Sequence, residues 1–349
     1  MALRRLLQSR PCNPTSLSAK LLPVATPVEE EHTPHYKPQH FYPVRLYEIL
    51  NNRYQIAAKI GWGTSSTVWL ARDLYHPGGR HICMVFDPLC EPLWMLKHRF
   101  KGKTIPIDVL KAVSKVILEG LRYLHTECHI IHTDLKSDNI LMALGNPAIL
   151  HSIAQDEMNS PSPRKELEDR MIYLSRNQWN LQPEDLGRTI ITDFGLAVHG
   201  DGPPNNHPIQ PDGYRAPEVS LGAEWSYSVD IWNMGVLLWD LFQGSGPFDI
   251  PRSEYSEEAH LARIISLLGA PPPDLQRGKN TFRYFDDQGQ FRFPDLVGKI
   301  DLESMANDLD GDEKSLFIQF ILRMLRWKPE DRASVDDLLS DPWFQSIDL

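Results

Sequence analysis

The chain has 349 residues, enough for two domains or one large two-lobed domain, and its 42% content of hydrophobic residues excludes wholesale disorder. Its 36 Lys and Arg against 46 Asp and Glu give a net charge of −10, which argues against a general nucleic-acid binder and against binding to an anionic membrane surface. The 4 cysteines are irregularly spaced and form no C-x-x-C pair, so the sequence predicts neither a disulfide framework nor a zinc site.

The N-terminal region is rich in proline and has no hydrophobic period, which predicts a disordered tail over residues 1–40. Its first 28 residues carry four basic residues and no acid before Glu29, a bias typical of mitochondrial presequences. The alternative is a tail with a chance basic bias. Pro11 and Pro14 favour this alternative because they would stop a helix after its first turns. No apolar stretch approaches the length of a transmembrane helix.

Strand patterns come first along the chain and helical patterns follow. Residues 54–60 and 67–70 have strand character on either side of Gly61-Trp62-Gly63, and residues 82–86 form a short apolar run that predicts a buried strand. From Val109 to Leu124 apolar residues recur every three or four positions, which predicts an amphipathic helix. Further helices are predicted at 228–242, 257–268, 313–326 and 334–339. This order favours an α+β fold with segregated lobes.

The strongest chemical signal consists of three short segments in a fixed order. The sequence HTDLKSDN occupies residues 132–139, DFG follows at 193–195, and Ala-Pro-Glu follows at 216–218. Any one of these segments alone is weak evidence, because a solvated loop with an acid and a lysine is commonplace. Their spacing and order together are specific for phosphoryl transfer.

The residue types in these segments suit the roles that phosphoryl transfer requires. Asp134 can orient the attacking hydroxyl and accept its proton, and Lys136 can place a cation on the γ-phosphate. Asn139 and Asp193 are the candidate metal ligands, because Mg²⁺ prefers amide and carboxylate oxygens. The sequence therefore predicts Asp134 and Lys136 as catalytic residues.

On these segments the chain resembles the eukaryotic protein kinases over about residues 41–346. Within that family, residues 47–51, 61–63 and 66–70, together with Thr133 in place of an arginine, are similar to the SR-protein kinases, particularly fungal members. The resemblance implies a bilobal fold, with a reduced β-rich small lobe at 41–88 and a mainly helical large lobe at 89–349. It also implies ATP and Mg²⁺ as cofactors and Ser in Arg/Ser-rich proteins as the acceptor.

The resemblance further implies a monomer of the cytoplasm or nucleus that contacts protein substrates, without direct contact to nucleic acid or membrane. It places the nucleotide under a glycine-rich hairpin at Gly61 and Gly63, with Val68 against the adenine and the backbone of Asp87 and Leu89 at its edge. Glycines let backbone N–H groups approach an anion, although two glycines alone would equally mark a plain hairpin turn.

Three more residues match the family at structural positions. Asp230, inside a predicted buried helix, is expected to hydrogen-bond the catalytic loop, since a buried carboxylate without partners would be costly. Glu218 and Arg332 are expected to form a buried ion pair between the activation segment and the late helices. Neither is expected to be catalytic.

The sequence departs from the family pattern at two places. Asp134 and Asp193 are 59 residues apart, which indicates an insertion at about 145–188; SR-protein kinases carry one at the same place. A connection of this length is expected to be partly disordered. Between Val68 and the run at 82–86, by contrast, there is no room for the strand and helix that carry the family's phosphate-binding lysine and its glutamate partner. Without that helix, strand surface in the small lobe would be left uncovered.

Three functions stay open from the sequence. The chain is a serine/threonine kinase of the SR-protein type, or a pseudokinase or scaffold that keeps the fold without turnover, or a small-molecule phosphotransferase of kinase-like fold. Asp134, Lys136, Asn139 and Asp193 favour descent from an active enzyme. The missing lysine strand favours the second function for this particular chain, whether it reflects an omitted exon, a splice form or a degenerate kinase. The Ala-Pro-Glu segment argues against the third.

Overall fold

The structure is a computed structural model that divides into two compact units. The first unit comprises Met1–Pro88 and Leu144–Leu186, and the second comprises Leu89–Ala143 and Gly187–Leu349. The insertion therefore groups with the small lobe, whereas the sequence assigned it to the large lobe. The residues that the structure describes are 18–34, 36–63, 66–73, 86–100, 105–177, 179–273 and 278–345.

An antiparallel sheet of three strands organises the first unit: β1 (Ile49–Leu50), β2 (Tyr54–Trp62) and β3 (Thr67–Asp73). Asn51 and Asn52 both have positive φ (51° and 48°) and turn β1 into β2, as asparagine readily does in tight hairpins. Ala58 pairs with Leu70, and Lys59 pairs with Trp69. Successive residues of a strand point to opposite faces, so these two pairs mark the two faces of the hairpin.

One face of the hairpin is covered by the insertion. Its helix α2 (Ala148–Asn159) places Leu150, Ile153 and Ala154 in one buried cluster with Ala58 and Leu70. The expectations of a partly disordered insertion and of uncovered strand surface are therefore wrong for the described residues. Leu150, Ile153 and Ala154 stand at i, i+3 and i+4 of α2 and form an apolar stripe that packs on the strands.

The other face of the hairpin packs against a second part of the insertion, the pair β7 (Arg164–Glu166) and β8 (Met171–Tyr173). The Trp69 and Tyr173 rings meet edge to face, with centroids 5.5 Å apart. Lys59 is 2% exposed, and its Nζ donates to the Tyr173 carbonyl at 3.0 Å. Residues 144–186 thus contact both faces of the hairpin.

The N-terminal segment belongs to the same unit. Glu29–His32 forms a short 3₁₀ helix whose three glutamates each bind a partner elsewhere in the unit. Glu30 Oε2 lies 2.5 Å from Lys59 Nζ, Glu31 Oε2 accepts from Lys165 Nζ at 2.6 Å, and Glu29 accepts from Ser175. The prediction of a disordered tail does not describe residues 18–34, because long-range ion pairs fix them. Residues 1–17 of the candidate presequence, which spans the first 28 residues, lie outside the described residues.

Helices dominate the second unit. Its strands are β4 (Leu89–Pro92), β5 (Ile130–Ile131), β6 (Ile140–Leu144), β9 (Leu186–Ile191) and β10 (Val198–His199), in a β4-β6-β9 sheet and a β5-β10 pair. Its helices are α1 (Ile107–Thr126), α3 (Pro217–Leu221), α4 (Ser228–Gln243), α5 (Glu257–Leu268), α6 (Thr281–Tyr284), α7 (Leu302–Met305), α8 (Gly311–Met324) and α9 (Val335–Leu339). Residues 229–239 of α4 are all buried, which confirms the prediction of a central apolar helix.

The helices predicted from hydrophobic spacing are confirmed. α1 packs against α4 and α9, while α8 packs against α4 on another side. Gly235 allows this close approach, since a Cβ there would lie 2.9 Å from the Leu325 side chain. Of the strand predicted at 82–86, only Phe86 lies within the described residues. Among the described residues, no helix is long and apolar enough to cross a membrane.

Candidate active site

The loop between β5 and β6 is held in place by Asp230 of α4, which is fully buried. Its Oδ2 accepts a hydrogen bond from the His132 amide at 2.8 Å, and its Oδ1 accepts one from the Thr133 amide at 2.9 Å. The prediction that Asp230 ties down this loop is confirmed. These bonds stabilise Thr133 at a positive φ of 68°, a conformation that a β-branched residue adopts only under constraint.

Asp134 follows directly and has a fixed carboxylate. Lys136 Nζ donates to its Oδ1 at 3.0 Å and to its Oδ2 at 2.9 Å. Asn139 Nδ2 donates to the same Oδ2 and to the Asp134 carbonyl, each at 2.8 Å. Charge-assisted bonds of this kind are short and directional, so the carboxylate orientation is set before any substrate arrives. The loop therefore brings Asp134, Lys136 and Asn139 together.

The two candidate metal ligands are linked through the backbone. The Asn139 carbonyl accepts from the Thr192 amide at 2.8 Å and from the Thr192 hydroxyl at 2.9 Å, which fixes the residue before Asp193. The Asn139 amide nitrogen is used by Asp134, which leaves its Oδ1 as a ligand atom. Asp193 is exposed, has a φ of 60°, and accepts from Gly195 through Oδ1. An amide oxygen and a carboxylate fit Mg²⁺, which binds few protein oxygens and completes its shell with phosphates and water.

The glycine-rich hairpin lies in the first unit. Gly61 pairs with Val68, and the Gly63 amide donates to the Ser66 carbonyl at 2.8 Å. Among the described residues, a Cβ added at Gly61 or Gly63 would meet no heavy atom closer than 3.9 Å, so packing against these residues does not require glycine at either position. Asp87 is exposed near the end of the first unit, and Leu89 begins the second, where it pairs with Ala143.

The described hairpin strands β1–β3 offer no lysine in place of the one that the sequence lacks. β3 contains no lysine. Lys59 of β2 points to the face opposite Ala58 and Leu70 and is enclosed by Glu30 and the Tyr173 carbonyl. Because Val68 lies on the Leu70 face, two residues along the same strand, Lys59 cannot reach a nucleotide packed on Val68.

The activation segment is ordered by protein contacts. The Thr133 hydroxyl donates to the Leu196 carbonyl at 2.9 Å, and β10 pairs with β5. Gln210, which is buried, donates from Nε2 to Asn233 Oδ1 at 2.8 Å and accepts from the Ala216 amide at 2.8 Å. Nothing in the sequence pattern indicates this role of Gln210. A polar residue followed by a Pro-Asp-Gly turn is an ordinary loop pattern.

We expect residues 196–213 to keep their protease resistance after phosphatase treatment. The sequence offers no Ser, Thr or Tyr between Gly195 and Tyr214, and the Tyr214 hydroxyl is already buried against Asp240 at 3.0 Å. Gln210→Ala should instead loosen the segment, since it leaves buried partners unpaired at about 1–3 kcal/mol each. Limited proteolysis of both proteins provides the measurement. A phosphate on Tyr214 whose removal changes the cleavage pattern or the activity would contradict this expectation.

A buried ion pair joins the activation segment to the late helices, as predicted. Arg332 donates from Nη1 and Nη2 to the two carboxylate oxygens of Glu218, both at 2.6 Å, and both side chains are almost fully buried. Arg332 also lies over the Trp232 ring, 5.1 Å from its centroid. The pair is remote from Asp134 in its contacts and stabilises the segment that ends at α3.

Acid should destabilise the second unit through His260 of α5. Burial lowers the pKa of His260 to about 4; its Nε2 lies 2.8 Å from the Arg215 carbonyl oxygen, and its Nδ1 has no hydrogen-bond partner among the described residues. The unfolded chain, with a histidine pKa of about 6.5, binds the proton more strongly, so stability falls as the pH drops from 6.5 towards 4. The slope is at most about 1.4 kcal/mol per pH unit.

Urea unfolding at pH 7 and pH 5 measures this loss, and His260→Leu serves as the comparison because it cannot take up the proton. The His260→Leu protein should lose less stability between the two pH values than the parent. Equal losses in both proteins would show that other groups cause the acid sensitivity.

Comparison with known proteins agrees with this geometry. The family model of the protein kinase domain matches residues 72–150 and 174–344, well over half of the chain, and the chain therefore belongs to the protein kinase family. The unmatched residues 151–173 lie within the insertion. A crystal structure of a kinase domain is similar in fold, with a TM-score of 0.63 and 20% identity over 88% of this chain and 100% of that chain.

Individual relatives indicate to which group of protein kinases the chain is related. It is 34% identical to a serine/threonine protein kinase of Aspergillus fumigatus over 392 residues, covering 96% of this chain and 95% of the relative. It is 29% identical to the serine/threonine-protein kinase SRPK of Physarum polycephalum, covering 91% and 92%. It is 24% identical to mouse SRSF protein kinase 3, covering 95% of each. The chain is thus a protein serine/threonine kinase related to the SR-protein kinases.

The first of these alignments is longer than the chain itself. It extends over 392 residues, whereas the chain has 349, so the Aspergillus protein contains residues that this chain lacks.

Proposed function

We propose that Asp134, Lys136, Asn139 and Asp193 are the residues with which this kinase transfers a phosphoryl group to a serine. The fixed Asp134 carboxylate carries the proposal: it is 8% exposed and is oriented by Lys136 and Asn139 at 2.8–3.0 Å. A carboxylate held in this way accepts the hydroxyl proton without first reorganising.

The mechanism assigns each side chain one task. Asp134 accepts a hydrogen bond from the substrate hydroxyl and takes its proton as the oxygen attacks. Lys136, which is 27% exposed in its side chain, places its ammonium next to the carboxylate and the transferred group. Asn139 and Asp193 would hold Mg²⁺, which when bound neutralises charge on the phosphates.

Nucleotide binding is proposed at Gly61, Gly63, Val68, Asp87 and Leu89. At both glycines the described residues leave open space where a Cβ would stand, so packing alone would allow a larger residue. A ligand approaching the backbone N–H groups explains such glycines. Val68, 49% exposed, offers an apolar surface of the kind on which a base packs.

The test of the transfer site is phosphate transfer from γ-labelled ATP to an Arg/Ser-repeat peptide, with Mg²⁺ present. The parent chain should show a rate, however low, that Asp134→Asn abolishes. Asp331→Asn, an exposed carboxylate of the same unit, is the matched control and should leave the rate unchanged. A rate that survives in Asp134→Asn would place the chemistry elsewhere.

An Arg/Ser-rich protein is the proposed acceptor, in the cytoplasm or nucleus. Relatives of the chain are named for SR-type substrates, and the chain carries a net charge of −10. Acids are exposed between residues 301 and 312. Others lie near the catalytic loop, where burial and the neighbouring carboxylates of Asp249 and Asp138 raise the pKa of Asp240. Arginine side chains would relieve this excess of negative charge.

Binding of an Arg/Ser-repeat peptide should weaken steadily as ionic strength rises, because salt screens exposed charges. Asp308→Asn combined with Asp310→Asn should weaken binding at low salt and flatten its salt dependence. A peptide with every arginine replaced by alanine is the control, and isothermal titration is the measurement. Affinity insensitive to ionic strength would exclude this charge-based recognition.

A pseudokinase is the second candidate function, favoured by one observation. The hairpin strands provide only Lys59, which is buried on the wrong face for a nucleotide on Val68. A chain without a cation on the α- and β-phosphates could keep the fold and the docking surfaces while losing turnover.

A further inference from the structure

We propose that helix α2 of the insertion acts as an intramolecular cover of the nucleotide face of the hairpin, so that nucleotide binds only when α2 moves away. The proposal rests on the proposed nucleotide site at Gly61, Gly63 and Val68 and concerns the regulation of that site. It uses contacts within the first unit only.

The face that α2 covers is the face that carries Val68. Val68 and Leu70 are two residues apart on β3, so their side chains point the same way. Leu70 is 8% exposed, and its cross-strand partner Ala58 is fully buried. Both belong to the cluster that α2 completes with Leu150, Ile153 and Ala154. The contact with α2 therefore begins at Leu70, the next residue after Val68 on the same face of β3.

The cover also uses a residue that a base would need. Ile60, between Lys59 and Gly61, packs against the same cluster as α2. A flat base resting on Val68 would extend over its neighbours on that face, since an aromatic ring system is wider than one side chain. Ile60 and Leu70 are those neighbours. They cannot contact α2 and a base at the same positions.

The glycine end of the hairpin is left open by α2. Val68 is 49% exposed, and a Cβ at Gly61 or Gly63 would meet no atom of the described residues closer than 3.9 Å. The phosphate-binding end is therefore accessible, while the apolar surface behind it is covered. Such a partial block lowers apparent affinity in proportion to the covered population and does not abolish binding.

Contacts within the insertion tie the end of α2 to Ser162 and Arg176, and the Arg176 amide in turn donates to the Lys59 carbonyl of the hairpin at 2.8 Å. The Glu157 carboxylate near the end of α2 is 1% exposed and accepts from the Ser162 amide at 2.8 Å, the Ser162 hydroxyl at 2.7 Å and Arg176 Nε at 2.8 Å. At the start of α2, Asn146 Oδ1 accepts from the Ala148 amide. Release of α2 therefore exposes the apolar faces of helix and hairpin, and it breaks the bonds of Glu157 with Ser162 and Arg176 unless these two residues move with the helix.

The experiment measures binding of a fluorescent ATP analogue with Mg²⁺ to the full chain and to Ile153→Ser, which weakens the apolar contact. We expect Ile153→Ser to bind at least tenfold more tightly. His151→Ser, on the exposed side of the same helix, is the matched control and should bind like the parent. Binding by Ile153→Ser that is no tighter, while amides of residues 54–62 stay protected from hydrogen exchange, would overturn the cover.

Hydrogen exchange of the parent chain gives an answer even where Ile153→Ser fails to fold. Saturating nucleotide should raise exchange in residues 148–159 if α2 is displaced, whereas unchanged or slower exchange overturns the proposal. Val68→Glu distinguishes failure of the proposed nucleotide site from failure of the proposed cover. Binding unaffected by Val68→Glu would overturn the proposed nucleotide site and with it the cover. Binding lost in Val68→Glu but unchanged in Ile153→Ser would overturn the cover alone.

Discussion

Inserting a strand with a lysine, its partner helix and the following strand between residues 74 and 79 should raise phosphate transfer by about 10²–10³-fold. The proposed transfer residues are held in place in the second unit, but the described strands β2 and β3 carry no lysine on the face of Val68. Removing one such electrostatic contact costs a few kcal/mol in the transition state. The insertion point lies outside the described residues.

The first unit supports this expectation. Lys59 is the lysine on the hairpin strands, and it is buried against Glu30 and the Tyr173 carbonyl on the face away from Val68. The longer alignment with the Aspergillus kinase is consistent with an omitted segment.

The measurement is transfer of γ-phosphate to an Arg/Ser-repeat peptide by the parent and the restored chain side by side. Asp134→Asn in the restored background is the control and should remove the gained activity. A restored chain carrying methionine in place of the new lysine separates the charge from the added fold, and it should stay close to the parent rate. Equal rates for parent and restored chains would show that the deletion is not what limits catalysis.

The second unit could be predicted from the sequence because its signals are local. Asp134, Asn139 and Asp193 lie in short segments whose order is specific. The apolar period of α1 and the nearly continuous apolar sequence of α4 predict these two helices. The backbone bonds of Asp230 to His132 and Thr133 followed from a physical requirement, since a buried carboxylate needs donors.

The first unit could not be predicted in the same way, because it depends on partners far apart in sequence. Leu150, Ile153 and Ala154 form a short stripe inside a charged segment, and nothing local identifies strands β2 and β3 as what it covers. Glu30 and Lys59 are 29 residues apart, and Glu31 and Lys165 are 134 apart. From the sequence alone, three glutamates in a proline-rich stretch are expected to be solvated charges, because their buried partners lie far away in the chain.

Glu30→Ala should destabilise the first unit by about 3–5 kcal/mol, because it leaves a buried lysine without its closest counter-charge. Lys59 Nζ lies 2.5 Å from Glu30 Oε2 and 3.0 Å from Glu29 Oε2, and its side chain is 1% exposed. Glu29 also accepts a hydrogen bond from Ser175, so it compensates only in part for the lost charge of Glu30. Taking one partner from a buried pair costs far more than removing both, since the remaining charge keeps its desolvation penalty.

The double variant Lys59→Met with Glu30→Leu should therefore be much closer to the parent than Glu30→Ala. Glu166→Ala is the exposed control: its carboxylate pairs with Arg164 at 3.4 Å, is 49% exposed, and should contribute less than about 1 kcal/mol. Hydrogen exchange of residues 54–62 in increasing urea reports on the first unit separately from the second. Similar losses in Glu30→Ala and Glu166→Ala, or a double variant less stable than Glu30→Ala, would mean that the glutamates of residues 29–31 are surface charges and that the N-terminal segment does not hold the hairpin in place.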